Sequence, residues 1–398
     1  MTLQDICELI VDCPHITDND EGFGYPLIRT PNVGRGMLLL ENVHRVSKDV
    51  YDRRNKRAKP QPYDLILARE APAGNVALIR EGQNVCLGQR TVLIRPNKKV
   101  VVPEYLTYYL LAPYNQHRIK ESANGSTVEH VNMPNIRGLE IVLPALDIQK
   151  RIASILSNYD TLIDINTKRI KLLEESAREL YKEWFVRMRF PGHEKTKFVK
   201  GIPEGWKLYS IQELCDINKK TFNSKNKSEI IHYLDTSSIT DNSITAFVDF
   251  AFAEAPSRAR RVVKHNSILF STVRPNLRHL GILKNPVVNT VVSTGFVVFD
   301  CKYNIANIVY NFISSDEVVD YCQSIAEGAV ATYPSIKPEE IARLKIALPP
   351  IHIAEELNGK IETFISEQKN LQLQNQNLAT TRDRLLPRLL SGELKVKA

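Results

Sequence analysis

From Asp147 to about Phe185, apolar residues recur at alternating spacings of four and three: Ile148, Ile152, Ile155, Tyr159, Leu162, Leu173, Ala177, Leu180 and Trp184. That period gathers them into one stripe on an α-helix. Asp147 suits the N-cap, where a carboxylate accepts a spare backbone N–H. The same pattern runs from about His352 to Leu386 through Ile353, Leu357, Ile361, Phe364, Leu371, Leu378 and Leu385, and Pro387 is expected to end it. Each helix should span on the order of 50 to 60 Å at 1.5 Å per residue, more than a compact domain needs. A narrow apolar seam of that length calls for a partner helix, and the other copy in this chain supplies one. Polar residues interrupt the seams at Asn166 and Arg169, and at Gln368, Asn375 and Arg382. Such positions cost stability but fix register. With antiparallel helices and level ends, Asn166 is expected near Gln368.

These helices belong to a larger repeat at an offset of about 205 residues. Leu3-Gln-Asp-Ile-Cys-Glu8 returns as Ile211-Gln-Glu-Leu-Cys-Asp216, and Leu65-Ile-Leu-Ala68 as Ile268-Leu-Phe-Ser271. Leu139-Glu-Ile-Val-Leu-Pro144 matches Leu344-Lys-Ile-Ala-Leu-Pro349, both reading as strands closed by Pro. Gly125 and Gly328 fall in register as well. Between the copies, Pro191 to Gly205 is rich in Gly, Pro and Lys and reads as a connector. Short β-branched runs mix with helical ones such as Glu104 to Leu111 and Ile305 to Ile313, so the fold class expected is α+β. The predicted layout is 1–145 as a first globular domain, 146–188 as a long helix, 189–349 as connector plus second domain, and 350–398 as the second long helix and tail.

Length and composition fit this layout. The 398 residues exceed what one core usually serves, and 43% hydrophobic with 25% charged residues is ordinary globular content. Acids and Pro rather than a basic, then apolar, stretch occupy the first thirty residues, and no run of about eighteen apolar residues occurs. A cytoplasmic setting without a membrane is expected. Cys7, Cys13, Cys86, Cys215, Cys301 and Cys322 are scattered without a CxxC pair, which points to reduced thiols and to no metal site. The net charge of +8 leans toward polyanionic partners without naming one.

Catalytic signatures are missing. The chain has no GxxxxGK[ST], GxGxxG before a helix, HExxH or GxSxG, and no Asn/Asp-Pro-Pro-aromatic run of the kind amino-methyltransferases use. Glu367-Gln-Lys369 and Glu393-Leu-Lys395 have a nuclease-like spacing but lie in a helix and a tail, and read as surface charge. Cys13-Pro-His15 lacks an orienting third group. Basic residues say more, because they cluster at matching places. Arg53, Arg54, Arg57 and Lys59 precede the strand at Leu65, and Arg258, Arg260, Arg261 and Lys264 precede the strand at Ile268. The loops that follow carry Arg69 and Asn75 in one copy and Arg274, Asn276 and Arg278 in the other. Arg can read guanine and Asn adenine through paired hydrogen bonds, while Lys and further Arg neutralise phosphates. Duplicated basic loops suit one DNA duplex read at two places. Gly125 to His130 and Gly328 to Tyr333 form a second matched pair of loops, equally readable as turns.

Several stretches together resemble the specificity subunit of type I restriction-modification systems. They are Leu146-Asp-Ile-Gln-Lys-Arg-Ile152 through Ser176-Ala-Arg-Glu-Leu-Tyr-Lys-Glu-Trp-Phe185, Ile202-Pro-Glu-Gly-Trp206, and Leu385-Leu-Pro-Arg-Leu-Leu-Ser-Gly-Glu393. Arg69-Glu-Ala-Pro-Ala-Gly-Asn-Val76 and Cys86-Leu-Gly-Gln-Arg-Thr91, with Arg90, extend the likeness to the first globular half. One departure is that the first copy begins almost at Met1, without the Pro-x-Gly-Trp lead of the second. The resemblance implies two target-recognition domains, each reading half of a split, asymmetric sequence on double-stranded DNA, with the helices as a ruler for the unread gap. It implies no catalytic residue and no cofactor in this chain. Two methyltransferase subunits would use S-adenosylmethionine to modify adenine N6, and two restriction subunits would use ATP and Mg to cleave. The competing expectations are a scaffold joining two protein-binding modules and a specificity subunit of a related phage-defence methylation system.

Overall fold

A computed structural model of the chain describes residues 1–121, 123–124, 130–223, 229–329 and 334–396. The chain divides into two compact units, Met1–Thr167 with Gln372–Ala398, and Lys168–Leu371. Both division points fall inside the long helices, Leu146–Phe185 and Ile351–Leu390, each of 40 residues.

In the first unit the main sheet has the order Cys7–Asp12, Thr91–Pro96, Leu65–Ala68, Val76–Leu78, Gly36–Met37. A smaller sheet sets Arg45–Val46 antiparallel to Tyr25–Ile28, which runs parallel to Cys86–Leu87. The central strand Leu65–Ala68 is apolar throughout because both its faces are covered. Leu65 and Leu67 face a core with Leu106, Leu110, Ile152 and Leu156, while Ile66 and Ala68 face Ile28 and Leu87.

The second unit repeats this plan. Its main sheet runs Cys215–Ile217, Phe296–Cys301, Ile268–Ser271, Leu280–Ile282, matching the first four strands above in order. Its second sheet again pairs Val248–Ala251 antiparallel to Ile230–Leu234, which runs parallel to Thr290–Ser293. Helices Pro103–Leu111 and Pro113–Glu121 find their counterparts in Ala306–Ile313 and Asp316–Ala329. The α+β class and the duplication both hold, with strand order conserved where sequence identity is not.

Several local expectations change. The first long helix begins at Leu146, so Asp147 lies within the first turn, where its charge still suits the helix dipole. Pro387 lies inside the second long helix, which continues to Leu390. A proline so near the end removes one backbone bond, and the buried Leu386 and Leu389 hold that last turn to the first unit's core. Lys345–Leu348 is a strand paired with Lys207–Ser210. Its counterpart near Leu139 makes a bridge from Glu140 to Thr2. The connector is not slack: Trp206 packs on Phe190 at 4.9 Å and on Phe185 at 5.6 Å.

Within the first unit the long helices are antiparallel, since Asp160 pairs with Arg382 and Asn166 with Gln374. The Asn166 amide meets Gln374 Oε1 at 3.5 Å, and Asn375 Nδ2 reaches Thr167 Oγ1 at 3.3 Å. The level-ended register that places Asn166 opposite Gln368 is therefore corrected. In the second unit Arg169 pairs with Glu367 at 3.1 Å.

Candidate nucleic-acid interface

Helix Lys48–Arg54 ends on two arginines with different fates. Arg54 is 3% exposed, and its guanidinium donates to Asp18 Oδ2 at 2.5 Å, to the Leu87 carbonyl at 2.7 Å and to the Ile16 carbonyl. A buried cation needs such complete pairing. Arg53 stays exposed and pairs with the other oxygen of Asp18. Arg57 and Lys59 are exposed, with Lys59 Nζ 6.0 Å from the centre of the Tyr51 ring, itself stacked on Tyr25.

Arg69, the first residue beyond the central strand, is also buried. It donates to the Val131 carbonyl at 2.9 Å, to Asp12 Oδ2 at 2.7 Å, and to His130 Nε2 at 2.6 Å. Because guanidinium only donates, His130 Nε2 must accept. The ring proton then sits on Nδ1, which donates to Glu70 Oε1 at 2.6 Å. Glu70 also faces the exposed Arg90, whose Nε lies 3.4 Å from Oε2. Asn75 donates to the Val33 carbonyl at 3.0 Å.

The second unit anchors its loop alike. Ile336 N donates to the Thr272 carbonyl, as Val131 N does to that of Arg69. Beyond it, Arg274 and Arg278 adopt positive φ of +48° and +54° around the turn Pro275–Leu277. Arg278 is tied to Asp241 at 2.5 Å, Asp316 at 3.0 Å and the Ser314 carbonyl at 2.8 Å. Arg274 and Asn276 are exposed. On strand Ala259–Val262, Arg260 lies over Phe252 at 4.9 Å, and burial lowers the pKa of Arg261, whose Nε has no hydrogen-bond partner among the described residues. Arg258 faces Asp235 at 3.3 Å, and Lys264 is exposed.

Arg54 and Arg69 are thus committed to internal acceptors and are corrected from nucleic-acid contacts to supports of the loops, while the half-buried Arg278 is tied to acceptors at the surface. The exposed set is Arg53, Arg57, Lys59 and Arg90 in the first unit, and Arg258, Lys264, Arg274 and Asn276 in the second. Sequence reading missed the acids that select between these fates, since Asp18 and Asp241 lie 36 and 37 residues from the arginines they hold. It also missed Lys219 and Lys220, which are exposed beside strand Ala259–Val262 through Val262 N donating to the Lys220 carbonyl. Their doublet before Thr221 was the available signal. Of the second pair of loops, residues 125–129 and 330–333 lie outside the described residues. Among the described residues no group of three or more His, Cys, Asp or Glu is placed to hold a metal, and no helix is long and apolar enough to cross a membrane.

The chain is built from two copies of one α+β unit, each carrying exposed cationic side chains. Residues 1–175 match the type I restriction modification DNA specificity domain. The chain is 25% identical over 355 residues to the type I restriction enzyme MjaIX specificity subunit of Methanocaldococcus jannaschii, covering 84% of this chain and 78% of that one. With the HindI specificity subunit of Haemophilus influenzae the identity is 20%, covering 93% and 95%. A crystal structure of the type I restriction-modification S subunit from M. genitalium shares the fold with a TM-score of 0.62 at 14% identity, over 98% of this chain and 95% of that one. Over most of its length the chain is similar to type I restriction-modification specificity subunits, and its first 175 residues match their DNA specificity domain.

Proposed function

We propose that this chain reads a split, asymmetric sequence on double-stranded DNA, one half with each unit, and recruits two methyltransferase and two restriction subunits. The observation that carries this reading is the duplication itself. The same strand order supports the same kind of cationic loop twice, so two separate patches of base edges are read by two similar surfaces. Chemistry belongs to the partners: methyl transfer to adenine N6 from S-adenosylmethionine, and cleavage driven by ATP with Mg. This chain contributes sequence choice and no catalytic group. Exposed Leu162, Ile165, Leu172 and Leu373 on the long helices support recruitment, because apolar side chains left in water favour a protein partner. The setting is the cytoplasm, where DNA and the partner subunits meet.

The test is a methylome of cells expressing this chain with its cognate methyltransferase subunit. A two-part methylated sequence with an unread gap is expected. A continuous target, or methylation unchanged without this chain, overturns the reading.

A further inference from the structure

Cys215 and Cys301 are register partners on neighbouring antiparallel strands of the second unit, and their sulfurs stand 3.4 Å apart. Lys302 N donates to the Leu214 carbonyl at 2.8 Å. That bond spans the residues just outside the pair, which makes 215 and 301 a non-hydrogen-bonded pair. At such positions the Cα atoms lie about 4.5 Å apart and the side chains converge. A disulfide spans Cα separations from about 4.4 to 6.8 Å, so this site admits one without moving the strands. The repeat supplies an internal contrast, because Cys7 is the counterpart of Cys215 and faces Pro96.

We propose that Cys215 and Cys301 form an oxidation site at which hydrogen peroxide converts two thiols into a cross-strand disulfide. Cys215 is buried and Cys301 half-buried, so Cys301 meets the oxidant first. Its sulfur attacks the peroxide O–O bond, giving a sulfenic acid and releasing water. The Cys215 sulfur then attacks the Cys301 sulfur, the S–O bond breaks, and the hydroxyl leaves with the Cys215 proton as a second water. Two thiols lose two electrons to one peroxide, and an added thiol reductant reverses the result. The contact with the Cys301 sulfur and then burial raise the pKa of Cys215, so it rests as a thiol beside Cys301.

The test treats the full-length reduced protein with hydrogen peroxide, alkylates the remaining thiols, and maps peptides by mass spectrometry. The expected product is about 2 Da lighter than the parent before alkylation, from loss of two hydrogens. It contains a Cys215–Cys301 cross-linked peptide and four alkylated cysteines among the six, Cys7 included. Dithiothreitol should restore six alkylated cysteines. Cys301→Ser, the milder change at the half-buried position, should lose the cross-link. Cys215→Ala, with folding checked by circular dichroism, should instead accumulate oxygen on Cys301. Oxygen addition to Cys301 in the parent without a cross-link overturns the proposal, as do cross-links among the other cysteines at equal yield and a parent that resists oxidation in both respects.

Discussion

Arg382 on the second long helix pairs with Asp160 on the first, and Tyr108 donates its hydroxyl to the same carboxylate at 2.5 Å. The side chains of Asp160 and Arg382 are only 8% and 18% exposed. Arg382→Ala therefore leaves a nearly buried charge without its cation and should destabilise the protein by about 3 to 5 kcal/mol. Urea unfolding checks this, and the double change with Asp160→Asn should recover part of the loss. A single change worth no more than a surface pair, under about 1 kcal/mol, contradicts the reading.

Arginines four residues or fewer apart should separate by phenotype. Arg57→Ala with Lys59→Ala should weaken DNA binding and lower the salt slope by about one per lost phosphate contact, leaving the fold intact. Arg54→Ala should instead cost about 3 kcal/mol of stability by orphaning the Ile16 and Leu87 carbonyls, and leave the salt slope of folded protein unchanged. Binding titrations across salt concentrations beside unfolding curves distinguish the two.

Acid sensitivity has a duplicated source. Glu213 Oε2 accepts from Ser210 N at 2.6 Å and Ser210 Oγ at 2.7 Å, while Asp5 accepts from Thr2 N at 2.7 Å. These bonds hold both carboxyls below their ordinary values of 4.5 and 3.8. A depressed folded-state pKa contributes stability above the unfolded-state value and loses it as pH falls through the folded one. Stability should thus decline below about pH 4.5 through Glu213, and Glu213→Gln should decline less steeply over that window. Unfolding curves at steps from about pH 6 to pH 3 show whether the two slopes differ.

Exchange of residues 200–349 for those of a relative with another target should replace one half of the methylated sequence and keep the other. A methylome of cells carrying the hybrid decides. Change in both halves would show that recognition is shared between the copies.

Much of the architecture was legible because it rests on repetition. The period of apolar residues marked both long helices to within about a turn, and paired motifs such as Leu65–Ala68 with Ile268–Ser271 located the two central strands. The candidate interface was legible only in outline. A row of basic residues announces a cationic surface, but Arg53 and Arg54, neighbours in sequence that share Asp18, differ in burial, one exposed and one enclosed. Helical geometry turns successive side chains by about 100°, and what waits in each direction is set by chain segments far away.

The amino-acid sequence by itself determined the duplication, the α+β class and the long helical seams, because these follow from local period and from self-similarity. Only the tertiary structure decided which cations stay exposed at the surface and which are bound inward by Asp12 and Asp18. The same holds for register: Asn166 meets Gln374 because burial of Leu386 and Leu389 in the first unit's core sets the offset of the helices. Long-range packing chooses among pairings that the seam alone leaves nearly equal in energy.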